Sequence, residues 1–521
     1  MTTLIVADRI GTASAHLGTG LLISKGLVKA LGDADELADL ADEVIDHTGS
    51  VVLPGFRDAH MHAVPYAALL SGCSLKSATS MDDLVNRLAT YAASLDEARP
   101  VVATRLDDES LAEVRLPTRH DLDRAVPDRP AVIYRYCGHV AVANTAALAA
   151  SGIDATTPDP EGGSLDRDDD GPNGILRETA AGLIAPALAR GGHLDPEALL
   201  SALHVLAGLG LTSLGVMMGY GEQPSEKLDA ELDLWVSIAP RLPIRIHGIT
   251  ITDDPDQLRT AKVKLDGAGD RIRWHGVKRF ADGSLGGHTA AMCDPFADVD
   301  TTGTYRLTDA DLAIARTAAE LGGSVCIHAI GDRAVSGVLD VFKVLIDEGV
   351  DPRRLRMEHV SIASPDLIGR FASLGVTACV QPAFLASESS WLFTRVGDER
   401  RTWVYPFASM LRAGIPTSGS SDCPVEPPHP LWGMASAVGR HGILSSEALS
   451  PSEALHLFTE AAAASLGEAP PLSVGSPADF VVLDRNIRTA TADEIRSTGV
   501  VATYLDGREV PVDRTLPAWV D

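Results

Sequence analysis

Between about residue 195 and residue 465 the chain alternates short apolar runs with amphipathic stretches of ten to fifteen residues, and few folds accept that rhythm. The apolar runs are Leu211–Met217, Ile244–Thr250, Ile272–Phe280, Ser324–His328, Leu355–Val360, Val376–Gln381 and Pro416–Ser420. Helical patterns such as Asp309–Leu321, Arg333–Ile346 and Tyr405–Ala413 fall between them. Strand–helix alternation argues parallel βα units, because parallel neighbours need a long crossover, usually a helix. Val51–His60 supplies an eighth strand ahead of a long insertion. Eight such units predict an α/β fold, a (β/α)8 TIM barrel, whose chemistry sits at the C-terminal strand ends.

The rest of the chain decorates that barrel. Leu4–Val6, Leu21–Ser24, Leu27–Leu31 and Glu43–His47 read as short strands broken by Gly and Asp, and Ala478–Leu483, Val500–Leu505 and Arg508–Val510 repeat the texture. Neither end can bury a core alone. The two are therefore expected to share one small β-sandwich, residues 1–52 with 473–521. The barrel then takes 53–63 and 186–472. Residues 64–185 form an inserted α/β lobe after strand one, with strands at Val101–Arg105 and Ala131–Tyr136 and helices at Met81–Ser94 and Asn144–Ser151. The lobe leaves the chain at the catalytic end and is expected to act as a lid. Thr156 to Asn173, rich in Asp, Gly and Pro, reads as turns.

Composition narrows the partners. Forty-four basic against 71 acidic residues give a net charge of −27. Phosphate backbones and anionic membrane surfaces call for clustered basic residues, so neither nucleic acid nor membrane is an expected partner. With 5% aromatic residues the core must rest on Ala, Val, Leu and Ile. The six cysteines are scattered with no CxxC pair, which argues against a zinc knuckle or disulfide scaffold. The apolar run near the N-terminus stops after four residues at Asp8, too short for a secretion signal. The expected location is the cytoplasm.

The candidate strand ends carry the chemistry. Strand one ends in Asp58-Ala59-His60-Met61-His62, and His at i and i+2 on a strand share a face. Two imidazoles there form a ready metal-ligand pair. Strand four places Lys278 inside an apolar run, where a charged amine is costly. Strands five, six and eight end in His328, His359 and Asp422. Each residue alone has an ordinary explanation, such as a core histidine, a paired lysine or a helix cap. All of them falling at strand C-termini is harder to explain that way. Cys326 shares a strand face with His328 and reads as a small core residue. Glu358 is expected to face away from His359, toward a helix. Asp166–Asp170 lacks the spacing of a calcium loop and reads as a solvated turn.

These segments resemble the amidohydrolase superfamily of metal-dependent hydrolases, in the branch of N-substituted formamide deformylase-like proteins. The matching stretches are LPGFRDAHMH (53–62), VKRFADGSLGGHTAAM (277–292), IHAIGDRAV (327–335), MEHVS (357–361), SGSSDCPVE (418–426) and SPADFVVLD (476–484). In the insertion, 116–148 and 162–180 resemble the same branch. The resemblance implies that His60 and His62 bind a more buried metal and that His328 and His359 hold a second. Lys278 matches a position that is carboxylated in many relatives and bridges two metals. Asp422 would touch the first metal and shuttle the proton. The implied cofactor is one or two divalent ions, zinc first. The implied reaction is hydrolysis of a C–N, amide-like bond of a small molecule by metal-activated hydroxide. Three departures touch substrate identity: His288 stands where relatives often have Arg, Arg57 where an apolar residue is usual, and Cys137 where Asp is common. His139, Asn144, Asp282 and His288 are the candidate substrate contacts. Two alternatives stand beside this reading: the same fold acting on an ester, lactone or cyclic amidine, and a non-catalytic structural or regulatory relative. A homo-oligomer is compatible with either.

Overall fold

The computed structural model describes residues 1–97, 99–135, 140–160, 163–184, 187, 195–219 and 225–512. Its centre is a sheet of eight parallel strands, here β1 Phe56–Met61, β2 Leu211–Met218, β3 Arg245–Ile251, β4 Ile272–Phe280, β5 Ser324–Ala329, β6 Leu355–His359, β7 Thr377–Val380 and β8 Thr417–Gly419. Neighbours in this order are hydrogen-bonded in parallel from β1 through β8. The eighth strand returns to the first at their C-terminal ends. Asp422 N–H donates to the His60 carbonyl at 2.8 Å, and His62 N–H donates to the Cys423 carbonyl at 2.7 Å. Helices cover the outside, so the strands are buried on both faces and read as near-continuous apolar runs. β2, LTSLGVMM, is buried at every position. The covering helices show the complementary pattern. Asp332–Asp347 buries Val335, Val338, Leu339, Phe342 and Leu345, the i, i+3, i+4, i+7 stripe of a helix with one core face.

Strands from both chain ends join in one continuous seven-stranded sheet. Its order runs Arg508–Glu509, Val500–Leu505, Phe480–Leu483, Glu43–Pro54, Thr2–Gly11, His16–Ser24 and Leu27–Gly32. The sheet curls until its far edge meets its middle: Val28 N–H donates to the Ser476 carbonyl at 2.9 Å, and Leu27 bridges Pro477. Val28, Leu21, Phe480 and Tyr504 therefore share one core, and the sandwich is a single sheet packed on itself. Only Gly55 separates Glu43–Pro54 from β1. The Cβ of any other residue there would fall 2.3 Å from Thr212 side-chain atoms, a spacing that glycine alone accepts.

Two compact units result. One comprises Met1–Ala63, Leu199–Leu285 and Ala290–Asp521; the other comprises Val64–Ala198 with Gly286–Thr289. The second unit has its own six-stranded sheet, in which Gly163–Asp168 and Gly171–Glu178 pair as an antiparallel hairpin. The expectation of turns from 156 to 173 is corrected there. Leu165, Ile175 and Leu176 are buried, and that outweighs the Asp and Gly around them. Only Asp169 and Asp170 form the solvated turn, while Asp166 pairs with Arg177 at 2.7 Å. No helix among the described residues is long and apolar enough to cross a membrane.

Candidate metal centre

The barrel brings His60, His62, His328, His359, Lys278 and Asp422 into one neighbourhood at the C-terminal strand ends. The imidazole of His60 lies 5.7 Å, centroid to centroid, from that of His62 and 5.3 Å from that of His359; His359 and His328 are 4.4 Å apart. The ligand atoms of His60, His62 and Asp422 all lie within 4.8 Å of one another. Asp422 Oδ1 is 3.2 Å from Nε2 of both His60 and His62. Lys278 is buried, with Nζ 4.6 Å from the centre of the Phe280 ring. Burial pushes its amine below the ordinary lysine value, against the pull of Glu358 and Asp422.

Neighbouring groups orient three of the four rings. His60 Nδ1 meets Glu358 Oε2 at 2.7 Å, both side chains fully buried. Glu358 is held far below the usual carboxylate range: burial opposes ionisation, but Arg356 and His60 override it, and Arg356 donates to Oε1 at 2.6 Å. An ionised carboxylate can only accept, so His60 Nδ1 carries the proton. Against burial and Lys278, the carboxylates of Asp422 and Glu358 raise this imidazole above its ordinary value, and it is the neutral ring that would present an Nε2 lone pair to a cation. His359 repeats the device. Its Nδ1 donates to Gln381 Oε1 at 2.7 Å, while Gln381 Nε2 donates to Ser420 Oγ at 2.9 Å. In His328 the roles reverse. Nε2 donates to the Gly283 carbonyl at 2.8 Å, which leaves the lone pair on Nδ1.

His60 Nε2 and Asp422 Oδ1, 3.2 Å apart, can face one another only with a positive charge between them, a proton on the ring or a metal ion in its place. Burial works against the Asp422 carboxylate, yet positive charge on His60 and His359 and N–H donation from His60 and His62 hold it well below its usual range, the place a cation would take. Imidazole lone pairs and one carboxylate are the donor set that binds zinc and similar divalent ions. The residues fit such an ion. A second group, His60, Glu358 and Cys379, is also tightly clustered. Its carboxylate is already taken by His60 and Arg356, and burial pushes the Cys379 thiol well up.

Backbone geometry aims these side chains. His359 and Val360 have φ of +74° and +52°, and Asp422 has +58°. Left-handed conformations of non-glycine residues each cost about 1–3 kcal/mol and persist where the surroundings impose them. Here they turn the chain at the strand ends. The corner at Asp422 is braced by Asp58, whose carboxylate accepts Ser421 Oγ–H at 2.5 Å and His60 N–H at 3.1 Å. Burial pushes the Asp58 carboxyl up to about 6, against those hydrogen bonds.

The turn at His359 also corrects the expectation for Glu358. Alternation counted back from His359 sends it outward, yet it lies on His60 and on the same face as Arg356, because the pattern breaks at His359, where φ becomes positive. Sequence reasoning also passes over Gln381, although it stands at the end of the seventh candidate strand. Asn144 is no pocket residue. It caps the helix Thr145–Ala150, its oxygen accepts from Ala131 N and Ala147 N, and its amide donates to Val126 and Arg129 carbonyls. That exhausts an amide's capacity. Asp282 is likewise spent on backbone, accepting from Ala291 N at 2.9 Å and Gly331 N at 2.8 Å, with His328 Nε2 3.2 Å from its Oδ1. His288 is partly buried, with φ +54°, in the segment that groups with the inserted lobe. His139 lies outside the described residues. Cys326 is a buried core residue beside Ile249 and Ile251.

Residues 43–511 match the Amidohydrolase family. The chain belongs to that family. It is 29% identical to the amidohydrolase YtcJ of Bacillus subtilis (strain 168), over 94% of this chain and 95% of that protein. It is 28% identical to the N-substituted formamide deformylase of Arthrobacter pascens, over 97% of each. Among solved structures, an uncharacterized metal-dependent hydrolase from Pyrococcus furiosus is 31% identical with a TM-score of 0.76, covering 94% of this chain and 100% of that one.

Proposed function

We propose that this chain is a metal-dependent hydrolase that cleaves the C–N bond of a small amide-like substrate, with N-substituted formamides the class to test first. The observation that carries the reading is the convergence of the ligand atoms of His60, His62 and Asp422 within 4.8 Å of one another, with His359 and His328 beside them. His60, His62 and Asp422 would hold one divalent ion and His328 and His359 a second, with Lys278 between them. Zinc suits imidazole and carboxylate donors. Such an ion, when bound, lowers the pKa of its water toward neutrality and polarises a carbonyl.

The chain's own groups supply the rest. Asp422 Oδ1 takes a proton from the attacking water and returns it to the leaving nitrogen, acting as general base and then general acid. Glu358 and Gln381 keep the protons of His60 and His359 on the side away from the ions. Lys278, with its amine pushed down by burial, is suited to carboxylation, which would give an anionic oxygen bridge. The similarity to a formamide deformylase over nearly the full chain supports the choice of bond. The test is a panel of N-formyl amines, N-acyl amines, cyclic amides, esters and lactones incubated with zinc-loaded protein. Amine release from at least one amide, above any ester or lactone turnover, is expected. Turnover confined to esters or lactones, or none anywhere on the panel, would refute the reading.

A further inference from the structure

At the opposite end of the barrel a cavity of about 220 Å³ opens where β1, β3 and β4 begin and where the chain runs from Gly467 to Asp479. Four guanidinium groups line it, those of Arg57, Arg245, Arg271 and Arg273, against the carboxylates of Asp270, Glu468 and Asp479. In a chain of net charge −27 such a concentration of arginine is unexpected.

Ion pairing accounts for three of the four. Arg57 Nε donates to Glu468 at 3.0 Å. Arg245 takes Asp479 at 2.6 Å and also Asp506, which binds Arg271 at 2.9 Å. Arg273 is different. Its Nε donates to His247 Nδ1 at 2.9 Å, and its Nη2 donates to the Leu466 carbonyl at 2.7 Å. His247 donates its own Nε2–H to Glu468 Oε1 at 2.7 Å. A ring that accepts on one nitrogen and donates from the other is neutral. Arg273 is thus oriented by two neutral acceptors and has no carboxylate partner among the described residues. It is exposed, so its remaining N–H donors face solvent and are open to an incoming acceptor.

We infer that this cavity is a binding site for a small multivalent oxyanion, phosphate or dicarboxylate, with Arg273 as its principal contact. Guanidinium presents paired N–H donors in a plane that matches the oxygens of either group. Arg245 and Arg271 flank that contact and are already ordered by Asp479 and Asp506. Little side-chain entropy remains to be lost when the anion enters. The volume is ample for phosphate or succinate, since about 10–15 Å³ on this measure already holds one water.

The test is calorimetric titration of the metal-loaded full chain with inorganic phosphate and with succinate at low ionic strength. One saturable site per chain for either anion is expected. Tighter phosphate binding assigns the phosphoryl group, and tighter succinate binding assigns the carboxylate. Arg273→Gln should weaken binding about tenfold or more, as loss of a charged hydrogen bond does. Arg271→Gln should weaken it in the same direction. Arg259→Gln, on an exposed helix, should leave it unchanged. Binding to the metal centre would survive Arg273→Gln, so equal affinity in the variant and the parent overturns the inference, as does the absence of saturable binding by both anions.

Discussion

His60 is a metal ligand in this account only because Glu358 holds a proton on its other nitrogen. Glu358→Gln keeps the shape but removes the ionised acceptor, and the amide can present N–H where a lone pair was. Partners of ligating histidines are typically worth 10–100-fold in metal affinity or activity. Glu358→Gln should therefore lower zinc affinity by about that factor, read by competition with a chelator, and the protein should remain folded. Unchanged affinity would remove Glu358 from the account. Asp422→Asn separates ligand from proton carrier. The amide oxygen can still coordinate, but it accepts no proton, so kcat should fall by ~10²–10⁴ at full metal occupancy. Loss of metal alone, with activity restored by excess zinc, would make Asp422 a ligand and nothing more. At this scale the sequence is readable where a residue's type and its place at a strand end coincide. His60, His62, His328, His359, Lys278 and Asp422 all meet that condition. Glu358 and Gln381 escape because their roles depend on which atom of a distant histidine they touch. Asn144 and Asp282 mislead because capping a helix and tying a loop use the same polar groups as binding a substrate.

Elements were legible where burial and periodicity agree. The eight barrel strands and the helices Asp309–Glu320 and Asp332–Asp347 follow from apolar runs and i, i+3, i+4 stripes. The hairpin of Gly163–Asp168 and Gly171–Glu178 was not legible, because its apolar residues are few and are separated by Asp and Gly. The helix Ser225–Ile238 carries another feature that periodicity does not show, a buried acid facing inward. Glu231 accepts Gly219 N–H at 2.8 Å and Trp235 Nε1–H at 3.2 Å, and burial pushes its carboxyl up to about 7. An unfolded glutamate titrates near 4.3. Between those values the folded state binds more protons than the unfolded state, so this residue's contribution to stability falls as pH rises through that window and levels off above it. Glu231→Gln lacks the titration. The urea midpoint of the variant relative to the parent should rise from pH 5 to pH 8. A gap that stays constant over that range would show that Glu231 is not the source.

On the scale of the whole molecule, both ends of the chain close one sheet next to the barrel, so the first and last strands are required by the same core. That pairing was foreseen from matching strand texture. The curl that makes one sheet into a sandwich was not, because it depends on the bridge of Leu27 to Pro477, far apart in sequence. In the proposed reading the barrel's activity depends on metal at its mouth. The most direct measurement follows one preparation of the full chain through three states: as zinc-loaded protein, after dialysis against a chelator, and after zinc is restored. Metal content and turnover of an N-substituted formamide are recorded in each. The account predicts amine release in the first state, its loss together with the metal in the second, and its return in the third. Full turnover by the metal-free chain, or none by the zinc-loaded chain, would contradict it.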